Sequence, residues 1–226
     1  CFMRGEFSDE AQALGIKTVI MDGNILSTLK RLNTMIREGD YEIIHSHGAR
    51  GNFMACMLRR SCKIPVVTTV HSDPKLDYLG RPAAGLVYGT LNSFALHKAD
   101  YLIGVSDSMK NLLIERGFQP NDIFTIYNGV DFSIEPQNDN KIAYLRKLGL
   151  DVAEDSVVVG IAARLDPVKD IATLIRGFAE AEKRSPQLRL VIAGDGAELE
   201  NLKALAQELG VVGKVCFAGW VSDIHS

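Results

Sequence analysis

The sequence predicts an α/β protein of two domains, each a parallel β-sheet covered by helices. Three observations carry this reading. Short apolar, β-branched runs alternate with longer helical patterns from end to end, as in strands that are buried on both faces. The alternation breaks once, over residues 133–140, a polar stretch that contains Pro136 and has no apolar period. And 226 residues can bury one large core or two small ones.

Taken in order, the chain opens inside a polar helical pattern and then gives candidate strands at 17–21, 42–47, 66–71, 101–105 and 123–127. Helical patterns lie between them at 25–37, 51–60, 86–99 and 107–116, the last stopped by Gly117. After the break come a short helix at 141–148, a strand at 157–162, a helix at 171–183, a strand at 188–193, a helix at 198–209 and a strand at 215–217, half of a Rossmann unit. The expected domains are therefore 1–132 and 141–226, joined by a linker at 133–140. Both ends read as cut. The first domain lacks the strand and Gly-rich turn that normally open such a unit, and the second stops just after a strand, so both Rossmann-like domains are expected to be incomplete.

Composition bounds the function. An apolar fraction of 46% and a charged fraction of 23% argue against disorder and against a disulfide scaffold. The net charge of -3 is not that of a nucleic-acid binder. Cys1, Cys56, Cys62 and Cys216 show no metal-site spacing and read as reduced, mostly buried thiols of a cytoplasmic protein. No apolar run approaches the ~18 residues needed to cross a bilayer, and the N-terminus lacks a signal-peptide layout. Arg50, Arg59, Arg60 and Lys63 bracket the apolar stretch 53–58. That pattern admits a peripheral contact with an anionic membrane surface, although a solvated face of an amphipathic helix is preferred.

The segment from Gly160 to Asp170, GIAARLDPVKD, is the most informative. A buried strand delivers Arg164 and Lys169 into the turn before a helix, where ligands of open α/β sheets bind, and two cations there suit a diphosphate. The alternative, open on spacing alone, is a solvated turn in which both cations pair with nearby carboxylates. The next turn holds Gly194, Asp195 and Gly196 between a strand and a helix. Its amides and helix N-terminus would make an anion or ribose site; otherwise the glycines simply permit a tight turn that Asp195 caps. His45 and His47, two apart on a strand, share a face and invite a metal reading, but no third ligand lies nearby. Ser106 reads as a helix cap and Asn128-Gly129 as a turn.

Together these segments resemble family 4 glycosyltransferases, the retaining enzymes of the two-domain GT-B fold. The resemblance rests on seven segments in the family's order: HSHG from His45, VVTTVH ending at His71, ADYLIGVS ending at Ser106, NGVD from Asn128, ARLDPVK ending at Lys169, LVIAGDG ending at Gly196 and VCFAGWV ending at Val221. It implies that Arg164 and Lys169 bind the donor's phosphates. Gly194, Asp195 and Gly196 would line the donor pocket, and Gly219 to Val221 would approach the nucleobase. His71 would face the donor sugar as the catalytic-centre histidine, and His47, Gly48 and Asn128 would lie on the acceptor side of a cleft whose closure aligns the reactants. His45 is expected to be buried.

The family is metal-independent and needs no cofactor beyond its nucleoside diphosphate sugar donor. The implied reaction transfers the sugar, with retention, to a hydroxyl of a carbohydrate or lipid-linked acceptor in polysaccharide, lipopolysaccharide or glycolipid synthesis. The protein would be cytoplasmic, or peripheral on the inner face of the membrane. Two rivals stay open: a GT-B nucleotide-sugar epimerase, and a non-catalytic nucleotide- or sugar-binding module. Where many relatives carry glycine, this chain has Ala163 and Asp170. The family's Glu-x7-Glu segment would lie beyond Ser226, so these 226 residues by themselves are expected to hold diphosphate weakly and not to catalyse transfer.

Overall fold

The computed structural model describes residues 1–76, 88–129, 133 and 141–221. The chain divides into two compact units, Cys1–Asn128 and Gly129–Ser226. The linker predicted at 133–140 lies outside the described residues except for Ser133, as do the start of the helix predicted at 86–99 and Asp131.

In the first unit, helices α1 (Glu6–Ala13) and α2 (Ile25–Glu38) precede strand β1 (Ile44–His47) and helix α3 (Gly48–Cys62). Strand β2 (Val66–Val70), helix α4 (Thr90–Leu96), strand β3 (Tyr101–Gly104), helix α5 (Asp107–Glu115) and strand β4 (Ile123–Thr125) follow. The strands pair in the order β1-β2-β3-β4, all parallel, with Ile44 opposite Val66, Val67 opposite Tyr101 and Leu102 opposite Ile123. The local chemistry accounts for the helix starts. Asn24 accepts the amide of Ser27, and Ser106 accepts that of Met109, so Ser106 is the expected cap.

One predicted strand does not form. Residues 17–21 take no regular structure, and their backbone partner is Cys1: the Met21 amide donates to Cys1 O and the Cys1 ammonium donates to Val19 O. A single partnering residue does not make a ladder.

The core of this unit gathers Val70, Leu96, Leu102, Leu113 and Ile123, with Met54, Leu58 and Val66 also buried. On the opposite sheet face His45, His47, Tyr101 and Phe124 are exposed. His45 was expected to be buried. It is not, because the helix-covered face carries its neighbour Ser46 instead.

The second unit holds helix α6 (Lys141–Lys147), strand β5 (Val157–Ala162), helix α7 (Ile171–Glu182), strand β6 (Leu188–Ala193), helix α8 (Leu199–Glu208) and strand β7 (Val215–Gly219). The strands pair as β5-β6-β7, again parallel, with Val157 opposite Leu188 and Leu190 opposite Val215. Helices α7 and α8 cover one face through Ile171, Ile175, Phe178, Leu202 and Ala206, which pack on Leu165, Leu190, Ile192 and Val215. The other face holds a smaller cluster of Leu150, Val152 and Cys216 under Ile142 and Leu145. Cys216 is buried, whereas Cys56 and Cys62 are half-buried and Cys1 is exposed; the expectation of mostly buried thiols holds for Cys216 alone. All four are free.

Candidate functional site

In the second unit the turn after β5 is clamped by backbone contacts. The Ala163 amide donates to Ala193 O at 3.0 Å, and the amide of the wholly buried Leu165 donates to Asp195 O at 2.9 Å. Leu165 O accepts from the Glu198 amide at 2.9 Å. The two loops are thus sewn together over Ala163 to Leu165, and glycine is required where they touch. A Cβ on Gly194 would stand 1.9 Å from Ala163 O, and one on Gly196 would stand 2.5 Å from Leu165 O.

That geometry occupies two of the amides on which an anion site at the Gly194-Asp195-Gly196 turn would draw. The Gly194 amide already donates to Gly219 O at 2.7 Å, and the Gly196 amide to Asp195 Oδ1 at 2.7 Å. The glycines serve close approach, and the Asp195 side chain answers a local amide. Gly219, at φ 69, ends β7 where the register with β6 shifts, and Val221 follows it, half-buried.

The clamp fixes the loop and leaves its charges outward. Arg164 is 74% exposed, and its guanidinium lies 3.3 Å from the Asp166 carboxylate. Its charge is therefore partly answered within the loop, as the carboxylate-pairing alternative anticipated. Lys169 ends a 3-10 turn, Pro167–Lys169, is exposed, and makes no ion pair among the described residues. Asp170 begins α7 in the left-handed region at φ 46 and ψ 44, a position that glycine would occupy without strain.

In the first unit the carboxyl ends of β1 and β2 bring three histidines together. His45 Nε2 lies 2.8 Å from Thr69 Oγ1, and the rings of His45 and His47 lie 4.4 Å apart. His47 Nδ1 lies 2.9 Å from Nε2 of His71, the residue that follows β2. Partial burial, with His45 and His71 beside it, holds the His47 imidazole below its ordinary pKa. His47 is also the N-cap residue of α3 but makes no side-chain cap. Its ring is turned to His71 instead. Gly48 opens α3 at φ 71. Among the described residues no group of three or more His, Cys, Asp or Glu could hold a metal ion.

Beneath this cluster lies a polar network that the sequence reading missed. Ser46 Oγ donates to Asn52 Oδ1 at 3.0 Å and lies 2.7 Å from Thr68 Oγ1, while Asn52 Nδ2 donates to Asn92 Oδ1 at 2.9 Å; all four residues are buried. Polar residues at positions where the strand and helix patterns call for apolar ones were the available signal. Asn128 is exposed after Tyr127, whose hydroxyl donates to Asp107 Oδ2 at 2.7 Å. That bond, with one involving Thr125, keeps the Asp107 carboxyl below the usual carboxylate range.

The described residues include no helix long and apolar enough to cross a membrane. Residues 20–134 match the model of glycosyltransferase family 4, and residues 147–226 match that of glycosyl transferases group 1. An uncharacterized glycosyltransferase of Methanocaldococcus jannaschii is 32% identical over 194 residues, covering 80% of this chain and 47% of that protein. The UDP-Gal:alpha-D-GlcNAc-diphosphoundecaprenol alpha-1,3-galactosyltransferase of Escherichia coli is 27% identical over 96% of this chain and 57% of its own length. The chain thus spans about half the length of these curated relatives. Among solved structures, Anabaena HepE in complex with UDP-glucose superposes with a TM-score of 0.79 at 21% identity, covering 99% of this chain and 61% of that one. The fold is accordingly that of GT-B proteins, with two Rossmann-like domains.

Proposed function

Because the chain belongs to glycosyltransferase family 4, we propose that the complete protein transfers a sugar, with retention, from a nucleoside diphosphate sugar to a hydroxyl of a carbohydrate or lipid-linked acceptor. Polysaccharide, lipopolysaccharide or glycolipid synthesis on the cytoplasmic side of the membrane is the setting, and no metal or cofactor is needed. The carrying observation is the clamped turn after β5, which holds its backbone rigid while presenting Arg164 and Lys169 to solvent. A preorganised pair of cations suits a diphosphate that gains charge as the bond to the sugar breaks.

In the reaction, the bond between the sugar's anomeric carbon and the diphosphate oxygen breaks, and its electron pair leaves with the diphosphate. The acceptor oxygen bonds to that carbon on the same face, and its proton passes to the leaving phosphate. Arg164 and Lys169 stabilise the departing charge; release of Arg164 from Asp166 frees it for phosphate. His71 contacts the donor sugar. Gly219 and Val221 border the nucleobase, and Gly194, Asp195 and Gly196 hold the phosphate turn in shape. His47, Gly48 and Asn128 are acceptor-side residues. Both curated relatives described above are glycosyltransferases, which favours transfer over epimerisation or simple binding.

The test is a donor panel on the complete protein, with product mass measured for each nucleoside diphosphate sugar. Arg164→Ala and Lys169→Ala should each lower kcat/KM by about tenfold to a thousandfold. Full activity in either variant would remove the phosphate-site assignment.

A further inference from the structure

Resting on that reading of His71, we propose that His47 is a positioning residue: it donates its Nδ1–H to His71 Nε2 and so fixes His71 as the tautomer that carries its proton on Nδ1, ready to donate to an oxygen of the donor sugar. The separation of 2.9 Å is that of a hydrogen bond, and between two imidazole nitrogens one must donate and the other accept. Two imidazolium rings cannot make this bond, since both nitrogens would carry protons.

His47 as the donor is what the nitrogen shifts below test, since the 2.9 Å separation alone fits either ring as donor. The exposed His47 ring has His45 beside it, 4.4 Å away, and partial loss of solvent with that neighbour disfavours its charged form. The His47 Nδ1 faces His71, and a neutral His47 ring either donates from that nitrogen, as proposed, or accepts there. His71 extends past the end of β2 and is exposed, and its Nδ1 has no partner among the described residues. If Nε2 accepts from His47, the proton of a neutral His71 resides on Nδ1, the outward nitrogen. Without His47 that constraint is gone, and the ring is free to rotate and to take the other tautomer.

The arrangement has a support behind it. His47 sits opposite Thr69 in the parallel register, and the adjacent Ser46 is locked into the buried network of Asn52, Thr68 and Asn92. The end of β1, and with it the His47 backbone, is therefore held on its covered face while the ring is left to reach His71. The N-cap position that His47 occupies without capping is in keeping with this.

The experiment pairs a ligand-free readout with a kinetic one. Side-chain nitrogen NMR of the complete protein, at a pH where both imidazoles are neutral, should show His71 with a pyrrole-like Nδ1 and a pyridine-like Nε2. In His47→Ala the His71 signals should move towards the tautomer mixture of free imidazole, and in His47→Asn, whose amide can still donate, they should move back. With the donor UDP-glucose, UDP-galactose or UDP-N-acetylglucosamine that the complete protein turns over, His47→Ala should lower kcat by about tenfold to a hundredfold with KM little changed, as misplacement of a reacting group does. His47→Asn should recover part of that loss. In a His71→Ala background, His47→Ala should cost clearly less than it does in the native protein.

Unchanged His71 nitrogen shifts in His47→Ala would overturn the proposal, as would a full additional loss in the His71→Ala background. Retained activity in His71→Ala with the predicted tautomer change would instead remove the sugar contact assigned to His71 and leave the pairing intact. The two failures are thus separable. If His47→Ala proves unstable, His47→Asn and His47→Gln carry the same comparison.

Discussion

Adding one methyl group at each of three glycines tests the clamp between the two loops of the second unit. Gly210 lies at φ 71 with open space where a Cβ would go, so Gly210→Ala carries only the cost of left-handed backbone, about 1–2 kcal/mol. Gly196 has no such backbone constraint, but its Cβ would stand 2.5 to 2.7 Å from the backbone of Leu165, which is wholly buried and cannot swing aside. Overpacking of this kind costs about 1–3 kcal/mol. Gly194 combines both penalties, at φ 133 and 1.9 Å from Ala163 O, so Gly194→Ala should cost about 2–5 kcal/mol, a large part of the ~5–15 kcal/mol that holds a domain folded. Urea unfolding followed by circular dichroism would rank the three. The reasoning fails if Gly194→Ala unfolds no earlier than Gly210→Ala.

Two further perturbations address the first unit. Asp100 accepts hydrogen bonds from Arg59, and from the Val66 amide at 2.9 Å, and the Arg59 bond leads in holding its carboxyl below the usual range. A depressed folded pKa contributes stability above the unfolded value of about 3.9 and loses it as pH falls through the folded one, so the urea midpoint should drop with acidification more in the native chain than in Asp100→Asn. Parallel curves for the two would refute this. Ser46→Ala leaves buried polar groups of Asn52 and Thr68 short of a partner and should cost about 1–3 kcal/mol in the same assay; a neutral result would mean that water replaces the hydroxyl.

Much of this was legible in the sequence, and the exceptions have physical causes. The six strands from β1 onward that alternate with long helical patterns, and β7 after them, were found from their short β-branched or apolar runs between helical patterns, although the burial expected on both faces is not seen: one face of the first sheet and most of β5 are exposed. Residues 17–21 have the same look, but a run becomes a strand only when a neighbour pairs with it, and Cys1 alone pairs here. The start of α3 was set at 51 because the apolar period begins at Phe53, whereas the helix starts at Gly48, whose φ of 71 resembles a turn. Arg164 and Lys169 were found from their residue type and place after a strand. The contact of His47 with His71 was not, since it joins positions 24 apart and depends on the parallel register of β1 with β2. The same holds for the roles of Gly194 and Gly196: spacing suggested open amides, and only three dimensions reveal what each glycine lies against.

The all-parallel pairing also sets how the chain acquires its shape. Ile44 meets Val66, Val67 meets Tyr101, and Val157 meets Leu188, so each of these rungs waits for a crossover to close around it. Helices can form locally within about a microsecond, but they have no sheet to lie on until distant segments of chain have found one another. Closing those loops costs entropy before any ladder bond offsets it, which places folding in the slow regime of non-local topologies, about milliseconds to seconds. During that interval the apolar strands have no sheet neighbours or helices over them. Productive refolding should therefore favour dilute chain, because two unfinished copies can pair through such uncovered strands sooner than one copy completes its own sheet.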